Sequence, residues 1–260
     1  MALTNKTIAS TYGDILQVDN SGSGRTANGT VVKDGLGQST ALTLGGDKIK
    51  ITPSSDSTTA VTIETSGGTD LLVVDSTNSA VKVGTTQTYA NTQIQTFSVF
   101  DAGSADGTHY GMFAGAFGAA TLGGTSTLTS FGTGTDPATT LSISSGGDLA
   151  CAMYWYIPAA ITIDEVRVIG AGEAADTINF HLFSYTLATG TGSGAGDLSD
   201  GTLLAHNGST LTIGNDRVTT TTLTVDSANV AADKVVIATF ENVGATTDVT
   251  AQLIVKYHYQ

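Results

Sequence analysis

The chain has 260 residues, 40% of them hydrophobic and 13% charged, enough apolar material for one large domain or two modest ones and too much for a disordered chain. With 32 Gly, abundant Thr, and only 3 Pro and 3 Met, the usage is that of short strands joined by tight turns, which excludes a helical bundle. A net charge of -13 argues against any protein that works by neutralising nucleic-acid phosphates.

Met1 to Ser10 lacks the basic region and apolar stretch of a secretory signal, so export by that route is not expected. Residues 1–95 then read as a series of strands of about four residues, each with two apolar positions of one parity. The pairs are Leu42/Leu44, Ile49/Ile51, Val61/Ile63, Leu72/Val74 and Val81/Val83, and their starts fall 7, 12, 11 and 9 residues apart. Each short strand presents a narrow apolar stripe and unpaired backbone edges, with too little bulk for a core of its own. The segment therefore needs partners, either the rest of the chain or identical chains wound about one axis, and the periodicity leaves two or three copies open.

From Thr96 the elements lengthen. No Lys or Arg stands between Lys82 and Arg167, so that stretch offers no basic patch to phosphate or anionic lipid. The uncharged run Thr108 to Thr135 is mostly Gly, Thr, Ala and Ser, and the more apolar Leu149 to Ile163 is short and interrupted by Pro158. Neither is expected to insert in a membrane. Expected strands are Thr96 to Phe100, Leu141 to Ile143 and Ala152 to Ile157, followed by Ile161/Ile163 and Val166/Val168, where a change of parity predicts a bulge. Asp176 to Leu187, Leu203 to Ala205, Leu211 to Ile213, Val218 to Val225 and the alternating Val235, Ile237 and Thr239 come next. The chain closes on Val249 to Tyr259, where Val249, Ala251, Leu253, Val255, Tyr257 and Tyr259 share one face. The reading is all-β: a shaft or anchor over residues 1–95 and an antiparallel, jelly-roll-like β-sandwich over residues 96–260.

Motifs that carry chemistry are few. VRVIGAGEAA, Val166 to Ala175, has the glycine spacing of a dinucleotide-binding turn, but that turn must open a helix whose N-terminus holds pyrophosphate. Here Asp176 to Leu187 alternates as a strand, so a Gly-rich hairpin turn is expected. No Ser has Gly at both flanking second positions, so there is no nucleophile elbow. His109, His181, His206 and His258 lack zinc-ligand spacing; His258 reads as solvated and His181 as a hydrogen-bonded sandwich residue. Cys151, in an apolar run, reads as a buried, inert thiol. Asp164/Glu165 are the nearest carboxylate pair, yet adjacent strand residues point to opposite faces. Asp197 and Asp200 lie in the Gly-rich TGSGAGDLSDG, a loop with oxygen ligands suited to calcium but without EF-hand spacing. Tyr154, Trp155 and Tyr156 form the densest aromatic cluster, and alternation turns one side to the core while the other can stack on a sugar or a subunit. No catalytic residue, cofactor or resident metal is expected.

Three patches carry a family resemblance. LLVVDSTNSAVKVGTT, Leu71 to Thr86, resembles repeats of tailed-bacteriophage fibre and spike proteins; MALTNKTIASTYGDILQVDN, Met1 to Asn20, looks like the start of marine-phage virion structural proteins. VAADKVVIATFENV, Val230 to Val243, with a last strand ending in Tyr257 and Tyr259, is similar to trimeric jelly-roll knobs of phages. The resemblance implies a non-enzymatic, homotrimeric virion protein displayed on the particle surface, a short fibre, spike or capsid decoration. Its N-terminal part would attach to capsid or tail proteins and its head would contact a host-surface glycan. The alternatives are a glycan-degrading tail spike, suggested by fifteen carboxylates in residues 101–260, and a bacterial surface adhesin.

Overall fold

A computed structural model describes residues 16–18, 26–84, 88–103, 105–115, 129–143, 150–172, 176–207, 211–213, 217–244 and 248–260. Apart from one helical turn at residues 150–151, every regular element among them is a strand, and every strand pairing is antiparallel. The chain divides into two units, Met1–Ala90 and Asn91–Gln260.

The first unit holds two four-stranded sheets. One orders β1 (Gln17–Val18), β2 (Thr30–Lys33), β3 (Ser39–Leu44) and β4 (Ile49–Ile51); the other orders β5 (Val61–Glu64), β6 (Asp70–Asp75), β7 (Ala80–Val83) and β8 (Thr88–Tyr89). The five apolar pairs read from the sequence become neighbours across these ladders. Leu42 and Leu44 stand opposite Ile51 and Ile49. Val61, Val74 and Val81 form one row and Ile63, Leu72 and Val83 the next, so six aliphatic side chains share one sheet face. That face stays open: Ile63 is 55% exposed, Val81 44% and Val83 41%, while Val32 and Val73 are the only fully buried hydrophobic residues described in the unit.

What shapes the second sheet is turn chemistry. At the end of β6, Asp75 Oδ1 accepts the Asn78 N–H at 2.9 Å, while Oδ2 accepts Asn78 Nδ2 at 2.8 Å and Lys82 Nζ at 3.0 Å. Ser79 takes φ +53°, the left-handed conformation that lets β7 return in register. The Asn78 hydrogen bonds, helped by Lys82, hold the Asp75 carboxyl down to about 2. Val-Asp followed three residues later by Asn is thus a local recipe for a hairpin, which gives the repeat-like motif a mechanical reason.

The second unit is a β-sandwich. Its strands are β9 (Thr92–Ala102), β10 (Thr108–Gly111), β11 (Phe113–Ala114), β12 (Ser130–Thr133), β13 (Trp155–Ile157), β14 (Ile161–Gly172), β15 (Asp176–Leu187), β16 (Leu198–His206), β17 (Leu211–Ile213), β18 (Thr219–Thr222), β19 (Thr224–Val225), β20 (Asn229–Val230), β21 (Lys234–Asn242) and β22 (Val249–Tyr259). An eight-stranded sheet runs β12-β10-β21-β15-β16-β19, with β13 on β21 and β17 on β15. A six-stranded sheet runs β11-β9-β22-β14-β18, with β20 on β14. One hydrophobic cluster draws on both, including Phe97, Val166, Val168, Leu253 and Val255 from the smaller sheet and Phe180, Leu182, Ile237 and Phe240 from the larger. β21, at the middle of the larger sheet, is buried on both faces from Val235 to Asn242.

Several expectations change in detail. The parity break falls where predicted, as a register shift between Ile163 and Glu165 against β22. β9 begins at Thr92 rather than Thr96, and Leu141 to Ile143 is a single bridge, Leu141 to Leu198, not a strand. β14 and β15 belong to different sheets, so the Gly-rich passage is not a hairpin: the chain changes sheet between Gly172 and Asp176. Val218 to Val225 also splits, because buried Leu223 marks the point where the chain leaves β14 for β16.

Candidate functional site

Three of the four histidines, distant in sequence, meet on one face of the eight-stranded sheet. The register places His181 of β15 directly opposite His206 of β16 on one side and Thr239 of β21 on the other. His206 stacks on His181 with ring centroids 6.2 Å apart, and His109 of β10 meets His181 edge-on at 4.9 Å. His109 and His181 are buried. His109 Nε2 donates to the Gly134 carbonyl at 2.9 Å, and His181 Nε2 faces the Asp136 carboxylate at 3.5 Å. Among the described residues their Nδ1 atoms, and Thr239 Oγ1, have no hydrogen-bond partner. Burial first, then the neighbouring His109 and His206, push the His181 imidazole down to about 3. Spacing did not foretell this trio because register, not sequence distance, assembles it. Among the described residues no group of three His, Cys, Asp or Glu is placed to hold a metal ion.

Residues 134–143 lie against this face as a strap. Besides the Gly134 tie, Tyr185 Oη donates to the Ala138 carbonyl at 2.9 Å and the Gly201 N–H to Thr139 O at 2.9 Å. Leu141 and Leu198 exchange both backbone bonds. A Cβ at Gly201 would stand 2.7 Å from Thr139 Cα and 2.8 Å from Tyr185 Cε1, so only glycine lets the strap approach so closely.

The residues singled out from the sequence divide by role. Asp197 fastens the strap: its Oδ1 accepts the Ile143 N–H at 2.7 Å and Ser142 Oγ at 3.2 Å. Asp200 sits in a bulge of β16 at φ +54° and accepts Ser199 Oγ. The two carboxylates are therefore engaged with different groups. Trp155 points inward, half-buried, with ring centroids 6.2 Å from Phe97 and 4.8 Å from Tyr257. Tyr154 precedes the strand; its hydroxyl reaches Gly196 O at 3.3 Å, and burial pushes it up to about 12. Tyr156 alone of the three is exposed, and it donates to Asp233 Oδ1 at 2.5 Å. That bond to a carboxylate raises the Tyr156 hydroxyl above its ordinary value.

Three readings are corrected here. His258 is not solvated but buried, its Nδ1 2.9 Å from Asp164 Oδ1, because the bulge at Asp164 turns that carboxylate toward it. Cys151 is exposed, since it lies on the helical turn before β13 rather than on a strand. Nor do Asp164 and Glu165 point to opposite faces: the bulge removes the alternation and sets both on the side of His258 and Lys256, where Asp164 meets His258 and Glu165 pairs with Arg167 at 2.7 Å.

No family model and no curated protein matches the chain. Among solved structures, a chain of the "Structure of infectious bursal disease virus Gx strain" aligns with 68% of this chain at 7% identity and a TM-score of 0.27. This chain spans about a third of that viral chain, 34% of its length. A superposition so loose does not define a shared fold, and the sandwich assignment stands on strand pairing alone. No helix among the described residues is long and apolar enough to cross a membrane.

Proposed function

We propose that the chain is a non-enzymatic virion structural protein of a tailed bacteriophage, a homotrimeric short fibre, spike or capsid decoration. In this reading the first unit attaches to capsid or tail proteins and the sandwich is displayed on the particle surface, where it contacts a host-surface glycan. The observation that carries it is the open aliphatic face of β5, β6 and β7. Two aligned rows of Val, Ile and Leu without charge or aromatic anchors resemble half of a protein core, the composition of permanent contacts between identical chains. A segment this short, with two hydrophobic side chains buried among its described residues, needs a lasting partner to stay ordered. Of the carboxylates that would serve a glycan-cleaving spike, Asp164 is engaged with His258 and Glu165 with Arg167. Light scattering of the purified full chain should return the mass of three copies; a stable, monodisperse single-chain mass would overturn the proposal.

A further inference from the structure

The buried histidine pair and the strap across it have no part in that proposal, and they stand on the second unit alone. His109 Nε2 faces a carbonyl, which can only accept, so this nitrogen carries the ring hydrogen. His181 Nε2 faces the Asp136 carboxylate at 3.5 Å. A charged His181 carries a hydrogen on Nδ1 as well, where no acceptor stands among the described residues. That ring would be buried, would leave this N–H unbonded, and would sit with its centre 4.9 Å from that of His109.

We propose that residues 134–143 are an acid-released strap, closed while His181 is neutral and opened when protonation makes this ring seek water. The groups facing His181 account for the direction. His109 from β10 and His206 from β16 disfavour a charge on it, and Thr239 from β21 and Phe183 on its own strand are uncharged. Asp226 is already engaged with His206 at 2.7 Å. Glu241 is shared between Asn179 at 3.2 Å and His109 at 3.7 Å. Asp136 would favour a charged His181, but it belongs to the strap and its side chain is 53% exposed, so water screens it. Burial and the two imidazoles prevail, in keeping with a His181 ring held down to about 3 against an ordinary 6.5. The closed state thus refuses a proton that the open state takes up below about pH 6.5, and opening gains about tenfold per pH unit below that value.

Hydrogen exchange of the full chain, corrected for the chemical exchange rate, tests this. The Leu141, Ile143 and Gly201 amides report the strap, and the ladder amides between β15 and β21 report the sheet. From pH 7.5 to 4.5 strap opening should rise about a hundredfold or more while the sheet stays protected. His181→Gln, which cannot titrate, should reduce that rise at least tenfold. Tyr185→Phe, which removes one tie without touching a titrating group, should raise opening at every pH and keep the slope. A wild-type strap indifferent to pH, an unchanged slope in His181→Gln, or strap and sheet losing protection together would each overturn the proposal. If His181→Gln does not fold, the Tyr185→Phe slope and the sheet control decide it: loss of the slope, or of the sheet's protection, overturns the strap.

Discussion

Ile63→Asp puts a charge on the face that the proposed assembly must cover. In the single chain Ile63, Val81 and Val83 are about half exposed, and Ile49 and Ile51 of the neighbouring sheet are 71% and 48% exposed. Burying an aliphatic side chain fully contributes about 1.5–3 kcal/mol, so covering the exposed halves is worth about 1 kcal/mol each, about 5 kcal/mol per chain before the entropy of association. On an isolated sheet the substitution should change stability by no more than about 1 kcal/mol. In an assembly it forfeits that burial and places an unpaired carboxylate in an apolar contact, together about 4 kcal/mol, a roughly thousandfold weakening. Sedimentation over a range of concentrations reads this directly. Thr62→Asp, next in sequence and on the opposite sheet face, is the control and should keep the wild-type mass. If Ile63→Asp keeps the wild-type mass and melting temperature, or Thr62→Asp dissociates as readily, the aliphatic face is not where the copies meet.

Asp75→Ala should loosen the β6–β7 hairpin, seen as faster exchange of the amides from Asn78 to Lys82 with no change in the sandwich. Because the folded chain holds this carboxyl near 2 against an ordinary 3.8, the hairpin is at full strength above about pH 4 and weakens as pH falls toward 2; the Ala variant should lack that acid dependence. Gly111→Ala should cost about 1–3 kcal/mol and lower the calorimetric melting temperature by several degrees, since its Cβ would meet Met153 Sδ and stand 2.6 Å from Phe131 Cε2, both side chains fully buried. Trp155→Ala should destabilise the sandwich by about 3 kcal/mol, whereas Tyr156→Ala, which loses an exposed ring and one hydrogen bond, should cost about 1 kcal/mol. If the head holds a glycan through this cluster, Tyr156→Ala should lower retention on a glycan array with melting nearly unchanged.

Strands with one buried face were legible because apolar parity survives in the sequence. Val249–Tyr259 and Asp176–Leu187 have the bounds read from alternation, and the Ile163/Val166 parity break marks a real bulge. Legibility failed where parity carries no signal. β21 is buried on both faces, so its alternating Val235, Ile237 and Thr239 described half of its surroundings. The Thr108 to Thr135 run hid β10 and β12, whose glycines and threonines fit a strand only because neighbours press close, as Met153 and Phe131 do at Gly111. Changes of sheet, at Leu223 and between Gly172 and Asp176, depend on which partner strand is free. The histidine trio was hidden for the same reason, since His109, His181 and His206 sit on three strands that pairing alone brings together.

The two units use the same aliphatic residues to opposite ends, and the difference lies in what fixes their shape. In the sandwich, Val and Ile are sealed between two sheets, and polar ties such as those of the strap are secondary. In the β5–β8 sheet the shape comes from a turn: Asp75, Asn78 and Lys82 set the register of β6 on β7 with Val73 the one hydrophobic side chain buried among its described residues, and Lys82 also lies over the Tyr89 ring, 5.6 Å from its centre. The six-residue aliphatic face is therefore arranged before anything covers it. A face ordered in advance loses less conformational freedom on association than one that must fold on contact. Disturbing Asp75 should then weaken assembly as surely as disturbing Ile63, even though Asp75 is buried on the other side of the sheet and would touch no second copy.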